Sequence, residues 1–196
     1  MTLGERGVTL IKVVVAMALV ATMAGVGVHQ VTLWLPHFRL TSAARAILIQ
    51  IRRAKLQAIQ QRAVYYVDFD VDGDGNLRTG GCVLWEDWNN NHHRDQVERG
   101  ETILDFQALP GVYLKPYPQE LGGPARGPND TPIYTGGNDG AMFSGGLNRI
   151  KFNPDGTCSA GTIYLHNAKG RTYAIRLRSN GLVRLWRHEG KGWQQW

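Results

Sequence analysis

The chain has 196 residues, 43% of them apolar, with 22 basic and 16 acidic side chains for a net charge of +6. Setting aside about 35 N-terminal residues of apolar character leaves roughly 160, enough for one domain with a buried core. Its two cysteines, Cys82 and Cys158, stand far apart with no Cys-x-x-Cys between them, which excludes zinc ribbons and dithiol redox motifs.

The charge is segregated along the chain. Residues 1–168 hold 15 basic and 15 acidic side chains, so the whole excess lies in residues 169–196, with seven basic residues and one acid, Glu189. No acid occurs between Gly7 and Val67, whereas residues 68–105 hold ten acids against three basic residues. Such asymmetry points to charged partners or neighbours.

Residues 1–6 form a short polar leader. Residues 13–28 carry no charge, and counted from Val8 the apolar run is 21 residues with one interruption, Lys12. As a helix it would span roughly 31 Å, about one hydrocarbon core. A secretory signal has its small-residue cleavage site after the apolar region; here Gly7 precedes it. The run Gly7-Val8-Thr9-Leu10-Ile11-Lys12 resembles the processing region of type IV pilins and of the pseudopilins of type II secretion, which reads Gly, then Phe-Thr-Leu-Ile-Glu. Val8 stands where Phe is usual and Lys12 where Glu is usual. The resemblance implies a class III leader, residues 1–7, cut after Gly7 by a prepilin peptidase. Val8 would then be the N-methylated mature N-terminus. Residues 8–35 would be a transmembrane and assembly helix in the bacterial inner membrane, with the globular part in the periplasm. Counting basic residues alone would place the arginine-rich stretch after Pro36 in the cytoplasm; the class III pattern places the leader there instead.

Pro36 lacks an N–H and marks a kink or break. Over residues 37–62, Leu40, Ala44, Ile47, Ile51, Ala54 and Ala58 recur at three and four residues, which predicts an amphipathic helix over residues 36–63. Together the two parts make one long, bent N-terminal helix.

From Val64 the period changes to two. Strands are predicted at residues 64–69, 82–85, 102–106, 112–115, 149–153, 162–166, 173–178 and 182–187. Pro154-Asp155-Gly156 and Asn180-Gly181 are turn signals. In residues 173–178, Tyr173, Ile175 and Leu177 share one face and Arg176 and Arg178 the other. Residues 116–146 are rich in Gly and Pro and read as a long loop. No βαβ alternation is present. The expected fold class is α+β: a long helix covering antiparallel sheets, with a β-rich globular domain over residues 64–196. Residues 42–62, the Trp85-Glu86-Asp87-Trp88-Asn89 run with its continuation to Glu101, and the stretch from Gly170 to Arg184 resemble the GspH/FimT-like minor pseudopilins and pilins. That resemblance implies a pilin-like fold and a structural subunit without catalytic activity among other pilin or pseudopilin subunits; Lys12, which would repel a neighbour's N-terminal amine where the family has a carboxylate, points to a tip or priming position.

Four constellations hold residue types that carry chemistry. Asp70, Asp72, Asp74 and Gly75 match the start of an EF-hand loop, but Gly81 stands where its bidentate acid belongs. Asp87, Asn89, Asn91, Asp95 and Glu98 match positions one, three, five, nine and twelve, with His92 in place of the central Gly; this is the better calcium candidate. The alternative is that these side chains bond their own backbone and make turns. His92 and His93 are adjacent and point apart in an extended loop. No Gly-x-Ser-x-Gly, His-Glu-x-x-His or phosphate-binding loop occurs, so no cofactor is implied and the chain does not read as an enzyme. Arg176, Arg178, Arg184 and Arg187, with Trp186 nearby, are expected to line one exposed face. They would contact partner subunits or, alternatively, DNA, since arginines neutralise phosphates while aromatics stack on bases. Some FimT-like pilins are DNA receptors with a Gly-Arg-x-Arg element; the corresponding run here, Gly181-Leu182-Val183-Arg184, lacks the first arginine. A Cys82–Cys158 disulfide is permitted in a periplasmic domain.

Overall fold

The computed structural model describes residues 3–69, 81–89, 91, 92, 94, 100–105, 110–115, 117–131, 133, 140–144, 148–188 and 192–196. The chain divides into two units, Met1–Pro36 and His37–Trp196. One helix, α1, is assigned over Leu3–Gln61, with Pro36 inside it.

Among the described residues of the second unit, α1 is followed by strands and two single 3-10 turns. The strands are β1 (Val64–Asp68), β2 (Gly81–Asp87), β3 (Gly100–Asp105), β4 (Val112–Tyr113), β5 (Ala141–Phe143), β6 (Arg149–Phe152), β7 (Gly161–Asn167), β8 (Thr172–Leu177), β9 (Val183–His188) and β10 (Trp193–Gln195). They form two antiparallel sheets. The first has the order β3-β2-β1-β6. The second has the order β10-β9-β8-β7-β4, and β5 also pairs with β7. The α+β class with antiparallel sheets is therefore as expected, and each of the eight predicted strands has a counterpart. β5 and β10 are additions.

A single core joins the helix to both sheets. Leu40, Ala44, Ile47, Ile51, Ala54 and Ala58, the stripe read from the sequence, are all buried. They meet Tyr65, Val67, Leu84, Ile150 and Phe152 of the first sheet and Ile163, Leu165, Tyr173, Ile175 and Leu177 of the second. The alternation predicted in β8 is the one observed. Alanines at three of the six helix positions leave room for strands close to the helix axis, while the branched residues fill the remaining volume.

Polar contacts fix the helix along the second sheet. At its start in this unit, Asn167 Nδ2 donates to His37 Nδ1 (3.2 Å). Its side-chain Oδ1 accepts from the backbone N–H groups of Lys169 and Arg171, which shapes the β7–β8 turn. Further along, Lys55 Nζ donates to the Gly181 carbonyl (2.9 Å) in the β8–β9 turn. Both turns place a glycine at positive φ, Gly170 and Gly181. At the helix end Tyr65 donates to Glu86 (2.9 Å) and also meets Gln61. Burial, followed by the Glu86 carboxylate, pushes the Tyr65 hydroxyl up to about 12.

Within the Gly/Pro-rich stretch, the described residues include two 3-10 turns and a strand, β5. β4 and β5 pair with the same edge of β7, at His166–Asn167 and at Gly161–Ile163 respectively. The chain between them leaves and returns through a neck where Gly140 O accepts from Tyr164 N (2.6 Å). A Cβ on Gly140 would lie 2.1 Å from Leu114 O, so only glycine fits this neck. Gly140→Ala is expected to destabilise the fold by about 1–3 kcal/mol through forced backbone displacement. Urea unfolding measures this, and an unchanged midpoint would show that the neck relaxes freely.

Candidate functional site

The C-terminal arginines do not share one face. Arg187 pairs across the sheet with Tyr173 and Leu185 with Ile175, which puts Arg187 on the helix side. Arg184, Trp186 and His188 alternate to the outer side. Arg176 lies directly opposite Arg184 in the β8–β9 pair. The expectation of a single arginine face is thus corrected: the three-residue separation of Arg184 and Arg187 is odd, and odd separations in a strand alternate faces. Arg178, past the end of β8, is exposed.

The outer face of the second sheet is partly covered by residues 117–131. Arg176 Nη1 donates to Pro128 O (2.7 Å) and Trp193 Nε1 to Arg126 O (2.6 Å). Pro124, Gly127 and Pro128 are buried there. Trp193 lies beside Tyr164 and His188, with ring centroids 6.2 and 5.2 Å away. Arg184 donates to Gln195 Oε1 (3.3 Å). Arg176 is therefore engaged by its own chain, and this segment acts as a strap across the strands.

The outer face of the first sheet is finished by aromatic stacking. Tyr66 stacks on Trp85 with centroids 4.6 Å apart. The Arg149 guanidinium lies 5.9 Å from both rings. Asp87, the first residue of the better calcium candidate, is buried at the end of β2. Its carboxylate accepts from the N–H groups of Asn91 and His92, both at 3.1 Å, and its Oδ2 lies 3.2 Å from His92 Nδ1. Asn89 Oδ1 also accepts from Asn91 N. Tyr66 Oη meets His92 Nδ1 (2.9 Å), and Arg149 donates to His92 O (3.0 Å). These bonds give Asp87 and Asn89 the turn-forming role of Asx side chains. Asp95, Glu98, His93 and all of 70–80 lie outside the described residues. Among the described residues, no three or more His, Cys, Asp or Glu residues are grouped to hold a metal ion.

Cys82 and Cys158 are both free and buried thiols, the alternative to the bridge that a periplasmic domain would permit. Cys82 belongs to β2 in the first sheet. Cys158 Sγ donates to Arg178 O (3.2 Å) at the end of β8. Burial raises the pKa of both thiols.

In the first unit, Gly7 and Val8 lie within α1. Every described side chain over residues 10–25, Lys12 included, is exposed. Among the described residues no helix is long and apolar enough to cross a membrane.

Sequence reading missed the Tyr66–Trp85–Arg149 stack and the His92 contacts. The signal was the shared outer face of Tyr66 and Trp85, which becomes visible only once β1 and β2 are in register.

A helix laid against two antiparallel sheets, with its polar side chains spent on turns and clamps, defines a structural α+β domain. A family model described as type II transport protein GspH matches residues 43–181. The match covers well over half of the chain, and the chain belongs to this family. The role that goes with the family is pseudopilin-like, in type II secretion, and structural rather than enzymatic. Neither a curated protein nor a solved structure gives a match.

His188 offers a check on the outer face of the second sheet. Burial holds its imidazole below the ordinary value of 6.5. A depressed folded-state pKa contributes stability that is present above the unfolded value and lost as pH falls through the folded one. His188→Gln should therefore lose less melting temperature than the parent chain between pH 7 and 5. Parallel melting curves across that range would refute this.

Proposed function

We propose that this chain is a minor pseudopilin or minor pilin, placed in a tip or priming complex of a type II secretion pseudopilus or type IV pilus. The family match over residues 43–181 carries the reading. In this proposal residues 1–7 are a leader removed by a prepilin peptidase, and Val8 becomes the methylated N-terminus. Residues 8–35 anchor the subunit in the inner membrane and later enter the fibre. Residues 36–63 continue the helix, and residues 64–196 form the periplasmic domain. The run of exposed apolar side chains from Leu10 to Met23, interrupted by the one charge of Lys12, supports an apolar surrounding for this helix, because surfaces of that kind are rarely left in water. No observation favours the DNA-binding alternative, since the arginines that suggested it are divided between two faces.

Gly7→Val tests the processing step. The parent chain should migrate as the shorter mature form and the variant at full length; identical migration would sink the cleavage.

Lys12 argues for the position in the fibre. In the family pattern a carboxylate at this place meets the N-terminal amine of a neighbour. A lysine repels that amine, and a lone charge at mid-bilayer costs about 2.5–3.5 kcal/mol on insertion scales. Near the helix end it can reach the interface, so insertion survives. A topmost subunit has no neighbour above it to pair with. Lys12→Glu should shift the subunit into the fibre shaft and change the set of subunits that co-purify. Unchanged assembly and co-purification would remove any such meaning from Lys12.

A further inference from the structure

The end of the second unit where its helix begins gathers segments that lie far apart in the sequence. Asn167 Nδ2 donates to His37 Nδ1 (3.2 Å), which sets the first turn of the helix beside the β7–β8 turn. β4 pairs with β7 at His166 and Asn167. Tyr113 stacks on His166 with ring centroids 5.0 Å apart, and Tyr117 meets the same imidazole edge-on at 5.4 Å. A Cβ on Gly170, in the β7–β8 turn, would lie 3.3 Å from the Tyr117 ring. The 3-10 turn Gln119–Leu121 follows Tyr117 closely in the chain.

This end is apolar and basic together. Phe38 is 63% exposed, Leu121 67% and Tyr113 36%. Residues 37–41, 112–121 and 166–172 hold four basic side chains, Arg39, Lys115, Lys169 and Arg171, against one acid, Glu120. Arg39 and Lys169 are exposed. Aromatic rings with a polar tip, large apolar groups and long cationic side chains are the mixture found at a membrane–water interface. Trp34, exposed near the end of the apolar segment, is of the same type.

We infer that, before the subunit joins a fibre, this end of the domain seats on anionic headgroups of the bilayer, with Phe38 and Leu121 at the acyl boundary and Arg39 and Lys169 on lipid phosphates. The inference rests on the anchor proposed above; the choice of an anionic lipid surface rests on the composition of this end. One peptide bond joins Pro36 to His37, so the helix start is the first part of the domain that a chain emerging from the bilayer reaches. Basic residues after Pro36 oppose the charge bias expected of a translocated segment. Anionic headgroups supply their counterpart, worth about fivefold in binding for each Lys or Arg near the surface. A nucleic-acid backbone would answer the cations and leave Phe38 and Leu121 in water. A lipid surface answers both.

The test uses the full chain reconstituted in phosphatidylcholine vesicles, with phosphatidylglycerol added or omitted. A photoreactive residue replaces Leu121, which is so far from Pro36 in sequence that only the folded arrangement can bring it to lipid. Leu182, exposed in the β8–β9 turn at the other end of β8, is the control position. Lipid adducts are expected at position 121 in vesicles that contain phosphatidylglycerol, and not at 182. Their yield should fall about 25-fold in the Arg39→Gln/Lys169→Gln chain, about fivefold for each cation, and stay unchanged in Arg39→Lys/Lys169→Arg. Omitting phosphatidylglycerol or raising the salt should lower it in the parent chain as well, an arm that needs no substitution of the cations. No lipid adduct at 121, adducts to a second copy in their place, equal adducts at 182, or a yield indifferent to phosphatidylglycerol and to the cations would overturn the inference. Resistance to alkaline extraction reports the anchor separately. If the chain resists extraction while position 121 gives no lipid adduct, the inference alone fails. If the chain is extracted, the proposed anchor fails with it.

Discussion

Both sheets are built against one stripe of side chains on one helix. Leu40, Ile47 and Ile51 supply the volume, while Ala44, Ala54 and Ala58 let strands approach closely. Each fully buried Ile or Leu contributes about 1.5–3 kcal/mol. Because the stripe serves the inner faces of both sheets, a cavity at Ile51 would open onto more than one layer. Apolar contact sets how close the helix lies but is weakly directional along its axis. Two polar clamps supply the missing direction. Asn167 ties the β7–β8 turn to His37, and Gly181 O ties the β8–β9 turn to Lys55. The clamps hold turns at opposite ends of β8, so sliding the helix by one turn would break both.

With the inner faces consumed by the helix, the outer faces must be finished by other means. The two sheets do this differently. The first relies on stacking: Tyr66 on Trp85, Arg149 against both rings, and the start of the loop after β2 held by the Asp87 carboxylate. The second relies on its own inserted segment, bound through Arg176 and Trp193. Many of the polar side chains that caught the eye in the sequence are therefore occupied in closing the domain. The large apolar groups left in solvent on this unit include Phe38 and Leu121 at the end where the helix begins, which is why that end, rather than the arginine-rich strands, is the surface that asks for a partner.

Much of the fold was legible because it rests on periodicity. The helix stripe repeats at three and four residues, and β8 alternates over six, so both announce their faces. β5 and β10, of three residues each, are too short to show alternation. β5 exists because the edge of β7 beyond β4 offers unpaired backbone groups, and only the tertiary arrangement reveals that edge. The grouping of Arg176, Arg178, Arg184 and Arg187 was misread through composition: a cluster in sequence was taken as a cluster in space, although Arg184 and Arg187 differ by an odd number of residues. The state of the cysteines was open in the sequence, because separation along the chain carries no information about whether two sulfurs can meet; both are buried thiols. The Asx-rich run after β2 was legible as a turn, because Asp87 and Asn89 satisfy nearby backbone N–H groups within a few residues of themselves.

The absence of acid between Gly7 and Val67 links the two ends of the helical sequence. At Lys12 the family pattern has a carboxylate that answers a neighbour's amine; at Arg45 and Arg52 the exposed face of the helix carries cations. Among the described acids, Glu101 reaches Arg53 at the margin of this helix face. Either feature alone could be an accident of one position. Together they describe a helical arm whose charges are all positive.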